Sequence, residues 1–187
     1  EYIMPDVQQI QAALRELSAA QGGSLVKEVI KSKMKPEPMI FIGLGGLGGK
    51  TLERLKNLIK GEYEDNPHCA FLAIDTAQND LAERTDLDLS EKFEIYDPTC
   101  ITLPSHPPAV VKSWLNPQFP KNNLKSTGAE GTRQVARLML CGTDKYEKLR
   151  SRITSIINEV RSGVPADNDW VRINLIAGIS GGTGSGT

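Results

Sequence analysis

Histidine and cysteine, the residues that most often build metal and nucleophile sites, are scarce: two and three among 187 residues. Cys69, Cys100 and Cys141 are odd in number, widely spaced and form no CxxC pair. That pattern excludes a disulfide framework and a cysteine zinc site. His68 and His106 have no second His, Cys or carboxylate at ligand spacing and read as solvated residues of turns. Neither charge is in excess, with 22 basic and 23 acidic residues and a formal net charge of −1. A chain-wide nucleic-acid surface would need a basic surplus. No run of about 18 apolar residues is present, so no segment reads as a membrane span. No charged-then-apolar leader is visible either, and a cytoplasmic protein is expected. With 39% hydrophobic residues the chain can bury a core of ordinary domain size.

What is abundant is glycine, and it is unevenly placed. Ten of the 17 glycines fall within Gly43–Gly49 and Gly178–Gly186. Each cluster follows an apolar run, Met39–Ile42 and Val171–Ala177, and both runs read as strands buried on two faces. Thr51–Lys60 reads as a helix with Leu52, Leu55, Leu58 and Ile59 inward, and Ala70–Ile74 as a second buried strand ending at Asp75. Strand, glycine loop, helix and strand make a βαβ unit, which predicts an α/β fold. Its core is a Rossmann-like parallel sheet with flanking helices and a right-handed crossover.

The rest of the chain is read more coarsely. Lys92–Tyr96 is a candidate third strand, and Ala109–Leu115 a short helical stretch within a Pro-rich insertion over about 97–127. That insertion is either a surface excursion or a protein-interaction loop. Helix resumes near Thr132 with Val135, Leu138 and Met139 inward. A long amphipathic helix then places Tyr146, Leu149, Ile153, Ile156, Ile157 and Val160 inward. Cys69 and Cys141 read as small core residues, and Asp86, Asp88 and Glu91 as a solvated polar stretch. Before Pro36 and Pro38, residues 6–33 carry a stripe of Val7, Ile10, Leu14 and Leu17, a break at Gly22-Gly23 and a cap at Ser24. The expected organisation is a helical extension over 1–37 and an α/β domain over 38–187. The lack of an initial Met and the end within a Gly/Thr/Ser run lead to the expectation of a piece of a longer chain.

In a parallel sheet, ligands bind outside the carboxyl ends of the strands, where both glycine clusters lie. Glycine lets backbone approach a phosphate, and successive N–H groups attract the anion. Gly43, Gly45 and Gly48 satisfy GxGxxG, and Asp75 ends the second strand where a ribose-binding acid would stand, so a NAD-type oxidoreductase is one reading. Gly49-Lys50-Thr51 looks like the end of a P-loop, but GxxxxGK[ST] needs glycine at position 44, which is Leu44. The second cluster opens a third reading.

Ser180-Gly181-Gly182-Thr183-Gly184-Ser185-Gly186 resembles the signature heptapeptide of the tubulin/FtsZ superfamily residue for residue. Ile42–Lys50 resembles the first phosphate loop of FtsZ, Asp75-Thr76-Ala77-Gln78 the second loop, and Gly128-Ala129-Glu130-Gly131-Thr132 the third. Four loops occur in the family's order. The resemblance implies a divergent, prokaryotic tubulin-like protein that binds GTP or GDP with Mg2+ and self-associates into filaments. It assigns nucleotide contact to Gly45, Gly46, Leu47, Gly48, Gly49, Lys50, Asp75, Ala129, Gly131, Thr132, Ser180, Gly181, Gly182, Thr183, Gly184 and Ser185. Asp75 would act through a cation or water, because a bare carboxylate repels phosphate. FtsZ has glycine where Leu47 stands and asparagine where Lys50 stands, and its third loop carries an Asn-Pro that this chain lacks. Hydrolysis would require an acidic loop of a neighbouring subunit, so no catalytic residue is assigned here. A relative that keeps the fold but has lost nucleotide is the remaining alternative.

Overall fold

The computed structural model describes residues 38–62, 68–97, 109–116, 128–129, 131–141, 144–162 and 170–187. The expected N-terminal extension and most of the Pro-rich insertion lie outside the described residues. Four strands form one sheet: β1 (Met39–Leu44), β2 (Cys69–Asp75), β3 (Lys92–Glu94) and β4 (Arg172–Ala177). Helix α1 (Gly45–Glu62) joins β1 to β2, and α2 (Gln78–Ala82) and a 3-10 turn (Leu89–Glu91) precede β3. A short α3 (Ala109–Lys112) follows, then α4 (Arg133–Cys141), α5 (Lys145–Ser162), β4 and α6 (Gly182–Gly186).

The strand order is β3-β2-β1-β4 and every pairing is parallel. The chain runs outward from β1 through β2 to β3, then returns to the other side of β1 as β4. The order therefore reverses between β1 and β4, which is where a doubly wound sheet opens a crevice.

Alternation along the strands separates two apolar layers. Ile40 and Ile42 of β1 with Leu72 and Ile74 of β2 pack under Ile156 and Val160 of α5. Phe71 and Ala73 face the other way onto Leu52 of α1 and Leu81 of α2, with Phe41 packed against them. The rings of Phe41 and Phe71 stack at 5.6 Å. Full burial of each large side chain contributes about 1.5–3 kcal/mol, so the sandwich of helix, sheet and helix is held from both faces.

Several expectations need correction. Helix α1 begins at Gly45, not Thr51, so most of the first glycine cluster is helical. Glycine costs about 1 kcal/mol relative to alanine in a helix, and propensity therefore hides this segment. Leu58 and Tyr146 are exposed rather than inward, and Cys141 lies on the surface. β4 is not buried on both faces: Ile173 is 46% and Leu175 66% exposed. They pair in register with Ile40 and Ile42, but the layer covering those residues does not extend over them. No helix among the described residues is long and apolar enough to cross a membrane.

The segment expected to be a solvated polar stretch is exposed at Asp86 and Asp88, and it also grips α1. Lys56, buried on that helix, binds Asp88 at 3.4 Å and makes a closer ion pair with Glu91. Burial pulls the Lys56 ammonium down, and the hydrogen bonds and charges of Glu91 and Asp88 outweigh it, so its pKa is raised overall. Glu53 accepts from the Asp86 N–H at 3.0 Å, and Asn57 donates to the Asp86 carboxylate at 2.7 Å. Removing one partner of a buried pair strands the other charge. The cost is smaller when the stranded groups reach water, as Asp88 at 75% and Glu91 at 17% exposure do beside the buried Lys56. Glu91→Ala should lower unfolding free energy by about 3 kcal/mol in urea titration, and Lys56→Met by about 1 kcal/mol or less.

Candidate functional site

The crevice at the strand-order reversal is a cleft of about 370 Å³, within the size range of small-molecule sites. Three segments wall it. The first is the β1–α1 junction, where Leu44 passes directly into Gly45 with no intervening loop. That turn requires φ of 74° at Gly45, and a Cβ there would come within 3.1 Å of the Gly184 nitrogen. Glycine is the residue that meets both demands. The junction leaves the N-terminus of an 18-residue helix at the cleft, with Gly45, Gly46 and Leu47 lining it and no acidic residue in its first turn. Unpaired N–H groups and the helix dipole make such an end attractive to anions.

The second wall is the loop after β4, where Gly178 and Ser180 to Gly184 line the cleft. The third combines the end of β2 with the turn at 128–132: Asp75, Thr76, Ala77, Asp80, Ala129 and Gly131.

Glycine packs these walls together as much as it opens them. A Cβ at Gly182 would lie 2.8 Å from both the Ala129 Cβ and the Thr132 nitrogen, and one at Gly184 2.7 Å from the Gly178 carbonyl oxygen. A Cβ at Gly48 would collide with the carbonyl oxygen of Ile176 on β4. Gly178 makes room for Leu47, whose Cδ2 would stand 3.0 Å from a Cβ there. The departure from FtsZ at Leu47 is thus accommodated by the opposite loop.

A buried carboxylate joins the walls. Asp75 is 4% exposed, and its Oδ1 accepts from the Thr76 N–H at 2.7 Å, the Ala77 N–H at 3.2 Å and the Thr183 hydroxyl at 3.0 Å. Thr76 Oγ1 lies 2.8 Å from Thr183 Oγ1 and accepts from the Ala129 N–H at 2.9 Å. Burial pushes the Asp75 carboxyl above the usual carboxylate range, with a further upward push from the charge of Asp80. The three hydrogen bonds oppose that shift without cancelling it.

Of the residues assigned from sequence, Gly45, Gly46, Leu47, Asp75, Ala129, Gly131, Ser180, Gly181, Gly182, Thr183 and Gly184 come together on the cleft. Gly48, Gly49, Lys50, Thr132 and Ser185 do not line it. Gly48 and Gly49 are buried in α1, Lys50 is exposed, and the Ser185 hydroxyl turns back onto the Gly181 carbonyl. Thr76, Ala77 and Asp80 line it without having been assigned from sequence. The first two lie in the second-loop motif itself, and Asp80 is an acid in the first turn of the helix that follows. The oxidoreductase reading makes Asp75 a ribose acceptor, but its Oδ1 is taken up by internal donors.

Fold and cleft together define a parallel α/β domain whose cleft is walled by strand-end loops of small residues. Residues 40–187 match the family described as tubulin like, and the chain belongs to that family. Among solved structures it is similar to CetZ1 from Haloferax volcanii, described as a GDP-bound monomer, and to CetZ from Methanosaeta thermophila. Each has a TM-score of 0.44 and 17% identity, with 82% and 80% of this chain covered. The chain spans only 34% and 30% of the length of those two proteins. No curated protein matches it.

Two outcomes are expected from this geometry. Gly48→Ala should destabilise by about 2 kcal/mol, because the new methyl meets backbone. Gly49→Ala, whose Cβ finds Arg84 at an ordinary 3.8 Å, should stabilise by up to about 1 kcal/mol. Thermal melts of the pair check both. Asp75→Asn should raise Tm at pH 7, since it removes a buried charge and keeps an acceptor. A carboxyl whose folded pKa is raised contributes full stability below its unfolded pKa of 3.8 and loses it as pH climbs through the folded value. The advantage of the variant should therefore shrink on acidification toward pH 4, and an advantage that is flat with pH would contradict the assignment.

Proposed function

We propose that the cleft holds the phosphates of a guanine nucleotide, in a tubulin-like protein that assembles into filaments in the cytoplasm. The observation that carries this reading is the meeting of the β1–α1 junction and the heptapeptide loop at the strand-order reversal. Small residues and backbone amides form both walls there. The N–H groups of Gly46 and Leu47, and of Gly182 to Gly184, are the proposed phosphate donors, while that of Gly181 donates to the Gly178 carbonyl at 3.2 Å. Guanine as the base, and filament assembly, come from family membership.

The donor set also bears on the ion. Two carboxylates, Asp75 and Asp80, line the cleft, and no Lys or Arg does so among the described residues. Phosphate beside two carboxylates is repelled unless a cation lies between them. The residues present therefore fit a nucleotide taken up with Mg2+, whose charge would offset both groups. In this reading Asp80 faces the ion or its water, while Asp75 keeps its Oδ1 for the protein. Ser180 and Thr183 have no histidine beside them among the described residues. Hydrolysis is accordingly assigned to an acidic loop of a neighbouring subunit, as the family resemblance implies.

Ligand-dependent melting tests the proposal. GTP or GDP with Mg2+ at a hundredfold excess over Kd should stabilise the fold by about 2.7 kcal/mol, with a smaller gain after EDTA and none from NAD. Absence of any shift with GTP and GDP would overturn the reading, and protection by NAD alone would favour the oxidoreductase.

A further inference from the structure

The hydroxyls of Thr76 and Thr183 are both buried at the cleft wall, and proton counting fixes which way each of them points. The Ala129 N–H can only donate, and Asp75 Oδ1, which already takes the Thr76 and Ala77 N–H groups, acts as an acceptor. Thr183 lies 3.0 Å from that oxygen and gives it its single hydroxyl proton. Thr76 stands 2.8 Å from Thr183 but 3.5 Å from Asp75, so its proton goes to the Thr183 oxygen. Its own oxygen then accepts from Ala129 at 2.9 Å. The result is a chain of one polarity, from the Ala129 N–H through Thr76 and Thr183 to Asp75. Hydrogen bonds aligned in this way polarise and strengthen one another.

Resting on the phosphate reading above, we propose that Thr76 and Thr183 are positioning residues whose hydroxyls clamp the cleft walls at the spacing of a bound phosphate. Neither hydroxyl has a proton left to donate to the ligand. Thr183 meets it through backbone, and Thr76 acts wholly through its neighbours. The contact that the family resemblance assigns to Thr183 is thereby narrowed to its backbone. The geometry around the clamp is equally tight. Gly128, at φ of 101°, would bring a Cβ to 3.0 Å from the Thr76 hydroxyl oxygen. The turn at 128–132 is thus seated on Thr76 by steric fit as well as by its hydrogen bond.

Thr76→Val and Thr183→Val remove each hydroxyl at nearly constant shape, and Thr76→Ser keeps it. Hydrogen exchange in the free protein should show the Ala129 amide exchanging at least about tenfold faster in Thr76→Val, because its buried acceptor is gone. Exchange in the α1 and α5 segments should be unchanged. Titration with GDP and Mg2+ should show each Val variant binding about tenfold more weakly, and Thr76→Ser within about twofold of wild type. The double Val variant should lose no more than about one single variant does, because either substitution interrupts the same chain. Losses that multiply in the double variant would mean separate hydroxyl contacts and overturn the proposal, as would wild-type affinity in Thr76→Val with Ala129 still protected. If Thr76→Val does not fold, Thr76→Cys, with its weak donor and acceptor, replaces it in both measurements. Wild-type protein that ignores GDP would overturn the phosphate reading, while the exchange experiment would still decide whether the chain of hydroxyls exists.

Discussion

The cleft depends on a carboxylate that has been taken out of water. Asp75 ends a central strand, and its position there is dictated by the pairing of β2 with β1 and β3. Burial of a charge is tolerated only when donors surround it, and the donors recruited to its Oδ1 come from the turn after β2 and from the loop after β4. Thr76 extends the same bonding to the turn at 128–132. Three segments far apart in sequence are thereby held around one point. The raised pKa of the group is the electrostatic trace of that arrangement: hydrogen bonds support the charge without fully replacing its hydration.

Around this point the glycines serve two ends that are separable in the structure. Gly45 allows a strand to turn directly into a helix and presents the helix end to the cleft. Gly48, away from the cleft, and Gly182 and Gly184, on its wall, allow backbone from different elements to approach more closely than a Cβ would permit. A motif written in glycine therefore reports the packing of the walls together with the surface they offer. The outer face of α1 contributes to the same precision. Glu53, Lys56 and Asn57 hold the segment between α2 and β3, so the helix whose first residues line the cleft is anchored along its length.

The proposed ligand follows from the charges that line the cleft. A cleft with carboxylates and backbone amides but no basic side chain among its described residues suits an anion that arrives with its own cation, and a nucleotide with Mg2+ is the proposed occupant. The exposed Lys50 marks the difference from a P-loop, in which a lysine reaches the phosphates.

Much of the fold and of the cleft is legible in the amino-acid sequence. Two apolar runs each followed by clustered glycine specify strands that deliver loops to one end of a parallel sheet, because buried parallel strands are uniformly apolar and ligand loops follow their carboxyl ends. The heptapeptide at Ser180–Gly186, with three further loops in order, points to the family. The start of helix α1 is not legible, since four glycines carry no helical preference and only the contact with Ile176 shows why one of them is required. The burial of β4 is not legible either, since an apolar run states what a strand can cover and not whether a neighbour covers it. Local sequence determined the elements, the order of the loops and the small residues at their tips, all of which depend on near neighbours. Tertiary structure decided that Thr76 and Asp80 reach the cleft, that Lys50 does not, and that Asp75 spends its Oδ1 on the protein. The last of these depends on a donor and an acceptor 108 residues apart, brought to 3.0 Å by the fold.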